Sequence, residues 1–250
     1  DPAGNITQVT HPGLATATLE RDQKGRLTRA VLDDAIHQWG YTNGFITHHT
    51  TTSQGLAHTA AMDYTDAGWL ASVTIDGQHT RYHYDDAGQL LQATTPHGVN
   101  SWSYDPAGRL TTETIDGTTW ERTYNLAGQL LQATNGAETI TYTHDHTGRR
   151  TTETHSDGDR RDYTWTALSQ LATITTHHND QVHHTTTVVD ALGHLAHINN
   201  HDIFTDPTTG TLLQADNHTI ITAGPLTATT NHGWLPSSWR PHRHTTPTNP

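Results

Sequence analysis

Polar and apolar positions alternate along much of this chain. Tyr82 and Tyr84, Trp102 and Tyr104, Tyr142 and His144, and Tyr163 and Trp165 stand two residues apart with a polar residue between them. A spacing of two puts both members of each pair on one face of a β-strand. Runs such as Leu110-Thr111-Thr112-Glu113-Thr114-Ile115 are short and β-branched, which suits a half-buried pleated surface and suits a helix interior poorly. Thr alone fills 50 of the 250 positions. The pattern predicts an all-β chain with its rings aligned as a ladder across neighbouring strands.

The strands are punctuated by glycine at a fixed period. Aligning the chain on a glycine that follows an acidic or small tripeptide gives Gly4, Gly25, Gly44, Gly68, Gly88, Gly108, Gly128, Gly148, Ser169 in the glycine slot, Gly193 and Gly210. From Gly68 to Gly148 every step is 20 residues, and Tyr84-Asp85-Asp86-Ala87-Gly88-Gln89-Leu90 repeats as Tyr104-Asp105-Pro106-Ala107-Gly108-Arg109-Leu110 and as Tyr124-Asn125-Leu126-Ala127-Gly128-Gln129-Leu130. A fixed period of this length marks a repeat architecture. In Asp105-Pro106-Ala107-Gly108 the Asp, Pro and Gly match a type I turn closed by a left-handed glycine. Between successive motifs lies a second turn signal, Asp76-Gly77, His97-Gly98, Asp116-Gly117, Asn135-Gly136 or Asp157-Gly158. Each period therefore predicts one hairpin with two strands of roughly seven residues, each about 23 Å long.

The repeat-defining residues are Tyr64 and Gly68; Tyr84, Asp85 and Gly88; Tyr104, Asp105 and Gly108; Tyr124 and Gly128; Gly148; Gly193; and Asp206 with Gly210. Residues 48–60 stretch the step after Gly44, which predicts a longer loop or an irregular repeat there. Beyond Asp216 the pattern ends. Five of the ten prolines fall in the last 26 residues, so the division is a repeat strip over 1–216 and a Pro-rich irregular tail over 217–250.

Composition sharpens this picture. Only 32% of residues are hydrophobic, against about half in ordinary globular domains, so strand pairing rather than a central core is expected to carry stability. With 13 Lys plus Arg against 25 Asp plus Glu, no basic patch is available to neutralise phosphates, and nucleic-acid binding is disfavoured. The absence of cysteine removes disulfides, thiolate metal sites and Cys nucleophiles. No stretch approaches about 18 apolar residues, so membrane insertion is not expected. The 22 histidines cluster as His48-His49, His177-His178 and His183-His184, but adjacent residues on a strand point to opposite faces and do not converge on a metal. The glycines close hairpins rather than open helices, so no cofactor loop is expected.

The Tyr-Asp-x-x-Gly-x-Leu unit at a 20-residue period resembles the YD-repeat, or RHS-repeat, family, which includes bacterial RHS proteins, the C components of insecticidal toxin complexes and the teneurins. The resemblance spans residues 1–216 and is sharpest over 64–150. Residues 204–216, Phe204-Thr205-Asp206-Pro207-Thr208-Thr209-Gly210-Thr211-Leu212-Leu213-Gln214-Ala215-Asp216, look like a degenerate form of the family's closing segment. Thr211 stands where the family has Arg, and no Asp-Pro-x-Gly-Leu cleavage motif follows.

The resemblance implies hairpins joined edge to edge into an extended curved sheet, part of a hollow shell that encloses a C-terminal toxin polypeptide in bacterial members and serves adhesion in teneurins. About ten hairpins would form an arc of such a wall, so the chain reads as a fragment. The implied role is a structural, non-enzymatic shell segment, extracellular or at the cell surface. Its implied partners are the remainder of its own shell and a C-terminal cargo. Asp206 reads as a turn former, and no catalytic residue, metal ligand or cofactor is assigned. The alternative is a repeat binding module that recognises carbohydrate or a cell-surface partner through the ladder rings Tyr82, Trp102, Tyr142 and Trp165.

Overall fold

The structure, a computed structural model, describes residues 1–10 and 14–205 and, past them, the backbone of the strands between 212 and 236. In chain order the strands are β1 (Gln8–Val9), β2 (Ala17–Arg21), β3 (Leu27–Leu32), β4 (Ala35–Thr42), β5 (Phe45–Ser53), β6 (Leu56–Tyr64), β7 (Leu70–Ile75) and β8 (Gln78–Tyr84). There follow β9 (Leu90–Thr95), β10 (Gly98–Tyr104), β11 (Leu110–Ile115), β12 (Thr118–Tyr124), β13 (Leu130–Thr134), β14 (Thr139–His144), β15 (Arg150–His155) and β16 (Arg160–Trp165). The last are β17 (Leu171–His178), β18 (Gln181–Val189), β19 (Leu195–Ile198), β20 (His201–Thr205), β21 (Leu212–Ala215), β22 (His218–Ala223), β23 (Leu226–Thr229) and β24 (Gly233–Pro236). Each strand pairs antiparallel with the next in the chain. The result is an open, curved, all-β meander with no helix among the described residues.

Two kinds of turn alternate along it. At one edge a five-residue loop follows the motif aromatic. The Asp105 N–H bonds the Arg109 carbonyl at 3.0 Å and the Gly108 N–H bonds the Asp105 carbonyl at 2.8 Å, with Gly108 at φ +78° and the register shifting between Ser103 and Tyr104. This is the expected type I turn with a glycine bulge. Asp1-Pro2-Ala3-Gly4 makes the same turn, the Asp1 carboxylate accepting from the Ala3 and Asn5 N–H groups. At the other edge the turns are mostly two-residue, and both Asp76-Gly77 and Asp116-Gly117 have positive φ throughout, as a type I′ turn requires.

Register separates the two faces. Trp102 lies opposite Glu113, which lies opposite Trp120; Arg122 lies opposite Ala133, which lies opposite Ile140. The row Ser103, Thr112, Glu121 and Thr134 occupies the reverse face. A ring face thus backs onto a threonine face, where hydroxyls pair across strands, as in Thr114 with Thr119 at 2.9 Å and Thr164 with Thr173 at 2.6 Å. Such pairs stabilise neighbouring strands without an apolar layer, which accounts for the abundance of Thr. Among the described residues a compact cluster forms near the start: Ala17, Leu19, Leu27, Ala30, Leu32 and Trp39 are buried, with Val9, Leu14, Tyr41 and Ile46 packed against them.

Four expectations change. Residues 48–60 form no long loop; β5 and β6 are nine-residue strands joined by Gln54-Gly55, so the period lengthens through strand extension. The turn placed at His97-Gly98 sits one residue earlier, at Pro96-His97, because Gly98 pairs with Thr95 as the first residue of β10. The rings Tyr82, Trp102 and Tyr142 do not form a continuous stack. One strand separates Tyr82 of β8 from Trp102 of β10, about 9.6 Å at normal strand spacing, and three separate Trp102 from Tyr142 of β14, with Ala93, Glu113 and Glu153 opposite the three rings. Finally, β22 to β24 fall inside the stretch expected to be irregular. Thr219-Ile220-Ile221-Thr222 and Leu226-Thr227-Ala228-Thr229 carry the same β-branched content as the earlier strands, and hairpin pairing continues to Pro236. The rest of that tail, and the closing-motif residues Asp206 and Gly210, lie outside the described residues.

Candidate functional site

The motif tyrosine is a staple across the open end of a hairpin. The Tyr84 hydroxyl donates to the Leu70 carbonyl at 3.0 Å, Tyr104 to Leu90 at 3.1 Å and Tyr124 to Leu110 at 2.7 Å. Tyr64 reaches Ile46 at 2.8 Å, and Tyr41, which the repeat alignment does not single out, reaches Leu27 at 2.7 Å. Each phenol stands at or next to the last residue of one strand and bonds a carbonyl at or next to the start of the strand paired before it, closing the open end of the hairpin whose tight turn lies between them. A half-buried ring gains apolar contact while its hydroxyl satisfies a carbonyl that faces it. Trp165 fills the same slot, its indole Nε1–H donating to the Arg150 carbonyl at 2.7 Å.

The residue after each motif glycine completes the joint. Arg26 lies 4.4 Å from the centre of the Tyr41 ring, Arg109 5.0 Å from that of Tyr124 and Arg149 6.0 Å from that of Trp165. At the same position Phe45 stacks on Tyr64 with centroids 4.7 Å apart, and Trp69 tilts on Tyr84 at 5.4 Å. The same side chains cover the next turn. A Cβ on Gly88 would sit 2.7 Å from Trp69 Cζ2 and one on Gly108 3.2 Å from Gln89 Nε2. Gly88 is therefore required twice over, by its φ of +82° and by the ring above it. Ser169 occupies the slot at φ +60°, within 3.4 Å of Arg149.

The motif Asp shapes the loop from within. The Asp85 Oδ1 accepts from the Ala87 and Gln89 N–H groups, and Asp105 Oδ1 from Ala107 and Arg109. Asn125 and Thr65 do part of this work at their positions. The Arg109 guanidinium and backbone N–H hold the Asp105 carboxyl below the usual carboxylate range. Gly193 closes an equivalent turn, its N–H 3.1 Å from the Asp190 carbonyl.

Three features occupy the ring face. Tyr82 and Trp102 help line a trough of about 900 Å³ floored by Val73, Ala93 and Ile115, with Asp76, Asn100 and Asp116 among its lining. Further along, Glu153 is 7% exposed and gathers Arg150, Arg161, His155 and the Tyr163 hydroxyl, while Arg150 lies 4.3 Å from the Tyr142 ring centre. Burial works against the Glu153 charge, but hydrogen bonding to His155 and the two arginines outweighs it and keeps the carboxyl below its ordinary range. Near the start, buried His37, Trp39 and His49 stack with centroids 5.1–5.8 Å apart, His37 Nδ1 lying 3.3 Å from His49 Nε2. Burial first, then the neighbouring imidazoles, pushes His49 down to about 4.

The structure thus separates the four candidate rings. Tyr82 and Trp102 share the trough, Tyr142 belongs with the Glu153 cluster, and Trp165 is a staple. Reading the sequence missed the residue after glycine; the long side chains Arg26, Trp69, Gln89, Arg109, Gln129 and Arg149 at one repeat position were the available signal.

Comparison with solved structures finds "Crystal Structure of TcdB2-TccC3 without hypervariable C-terminal region" at 16% identity and TM-score 0.49, covering 92% of this chain and 16% of that one. A Photorhabdus luminescens Tc holotoxin pore structure matches at 16% identity and TM-score 0.47, with the same coverage. The chain spans about a sixth of the length of those chains. No curated protein matches. The family model described as "Teneurin YD-shell" matches residues 46–219, and this chain of capped turns and stapled hairpins belongs to the teneurin YD-shell family.

Proposed function

We propose that this chain is a length of shell wall, non-catalytic, which encloses or presents a C-terminal polypeptide and joins further repeats of its own shell at its edges. The observation that carries this reading is the staple. Each hairpin is closed at its open end by a Tyr hydroxyl, and the side chain after each motif glycine reaches over the next motif loop, so stiffness is built between neighbours and extends as far as the repeats do. A wall needs that property, and a compact catalytic pocket does not. The setting proposed is extracellular or at the cell surface.

The test is protection. In the natural full-length protein, the polypeptide downstream of the repeats is expected to resist a protease that digests it when it is expressed alone. Equal digestion of the two would exclude enclosure. A second reading, recognition of carbohydrate or a cell-surface partner, is favoured by the Tyr82–Trp102 trough. Glycan-array binding lost on Trp102→Ala, with unchanged circular dichroism, would support it over enclosure.

A further inference from the structure

We propose that His155, as a doubly protonated imidazolium, latches the 135–138 loop to β15 and makes this seam between successive hairpins a pH-responsive joint. His155 Nδ1 lies 2.8 Å from Glu138 Oε1 and its Nε2 3.2 Å from Glu153 Oε1. An ionised carboxylate only accepts, and a neutral imidazole has a single N–H. Both contacts are hydrogen bonds only when both ring nitrogens carry protons. Once one proton leaves, a nitrogen lone pair faces a carboxylate oxygen. His178 shows the contrast: its Nδ1 meets Asp159, but its Nε2 meets the side-chain amide of Asn179 at 2.8 Å, a pairing the neutral ring satisfies.

The surroundings fix which contact fails. Glu153 keeps Arg150 and Arg161 whatever the state of the histidine. Glu138, from the loop, has His155 as its ion-pair partner. Tyr142 of β14, opposite Glu153, and Tyr163 of β16 complete the groups around that carboxylate. The nearby turn acids are engaged elsewhere, Asp159 by His178 and Asp162 by His177 and Arg160. Loss of the proton therefore releases the Glu138 side chain, whose backbone stays bonded to Asn135 and Thr134, and leaves the Glu153 cluster standing. The 135–138 loop has four residues where the neighbouring Asp116-Gly117 turn has two, and Asn135 Oδ1 closes it by accepting from the Ala137 and Glu138 N–H groups, which presents the Glu138 side chain to His155. The Ser156 hydroxyl accepting from the Thr139 N–H beside it lies on the same seam.

Burial alone would lower the histidine's affinity for its proton, yet hydrogen bonds to Glu138 and Glu153 outweigh it and raise the pKa above 6.5. A raised folded-state pKa means that the stabilisation is complete below the unfolded value and is lost as pH rises through the folded one. This inference is independent of the shell reading and stands or falls on the chain itself.

The experiment is a proton–carbon NMR titration of histidine Cε1–H groups in this chain, with His155 assigned through H155Q. Thermal unfolding of the wild type, H155Q and E138Q from pH 5.5 to 8.5 accompanies it. The expected result is a His155 midpoint above 6.5 that falls in E138Q. The wild type should also lose about 2–4 °C more than H155Q across the alkaline half, the shift a single interaction makes in a chain of this length. Glu138 sits on an exposed loop, so E138Q is expected to fold. A midpoint at or below 6.5, or one unmoved by E138Q, overturns the latch.

Discussion

The first three hairpins and the regular repeats solve one problem in different ways. Between residues 9 and 46 the sheet buries Leu19, Leu27, Leu32 and Trp39 in a local cluster, stabilised by removal of apolar surface from water. From Tyr64 to Trp165 the buried apolar residues are Ala93 and Ala133, and the hydrogen-bonded polar residues Ser72 and Glu153 are buried with them. Here the links are a phenol on a carbonyl, a side chain over a glycine and hydroxyl pairs across strands. A cluster gathers its energy in one place, so damage there is shared by all its members. A stapled ladder distributes it, so damage stays near the staple removed.

The strongest way to break this contrast is a cavity. Leu32→Ala, at a side chain 1% exposed, should cost about 2–5 kcal/mol and lower the stability of β2 to β5 together. Leu110→Ala, at a half-buried ladder position, should cost less than half of that. Denaturant unfolding followed by amide exchange checks both values. Equal costs would erase the distinction between cluster and ladder.

Next in size is the response to acid. His37 and His49 are buried and their pKa values are depressed, His49 to about 4. The unfolded chain then binds protons more readily, and stability that is full above about 6.5 is lost as pH falls toward the folded value. Amide protection factors of β4 and β5, referred to the intrinsic exchange rate at each pH, should fall between pH 6.5 and 4, opposite in sign to the response at the His155 seam. Parallel pH profiles for the two regions would contradict this.

A glycine pair separates backbone strain from packing. Gly77→Ala meets a φ of +82° and open space, whereas Gly88→Ala meets the same φ with Trp69 in contact. The first should cost about 1–2 kcal/mol and the second about 1–3 kcal/mol more, read from thermal unfolding. If the two costs match, Trp69 yields freely and does not clamp the turn. The smallest effect is that of Tyr104→Phe, which removes the bond to the Leu90 carbonyl at about 0.5–1.5 kcal/mol. Exchange should rise near Leu90 and Tyr104 and remain unchanged at β2 and β3.

Much of the ladder was legible because its determinants are local. The turn formed by Asp105, Ala107 and Gly108 needs only its own residues, and the two-residue spacing of Trp102 and Tyr104 assigns a face without knowledge of any partner strand. The extended hairpin of β5 and β6 was misread because Thr50-Thr51-Thr52 after two histidines resembles a polar loop, although Thr51 bonds His37 of β4 across the strands and Thr50 bonds His48 along its own strand. The ring ladder was misread for a different reason. Face is set by local periodicity, but the distance between rings depends on which strands intervene, and Ala93 and Glu113 do.

By itself, then, the sequence determined the β class, the hairpin period, the turn chemistry and the family, since each rests on residues a few positions apart. Only the tertiary structure decided that the motif tyrosine reaches 14 residues back to a carbonyl, that the side chain after one glycine covers the next, and that His155 stands between two carboxylates. Those contacts, that of His155 with Glu138 among them, join residues on different strands or loops, 14 to 19 positions apart, and cross-strand register brings their atoms into range.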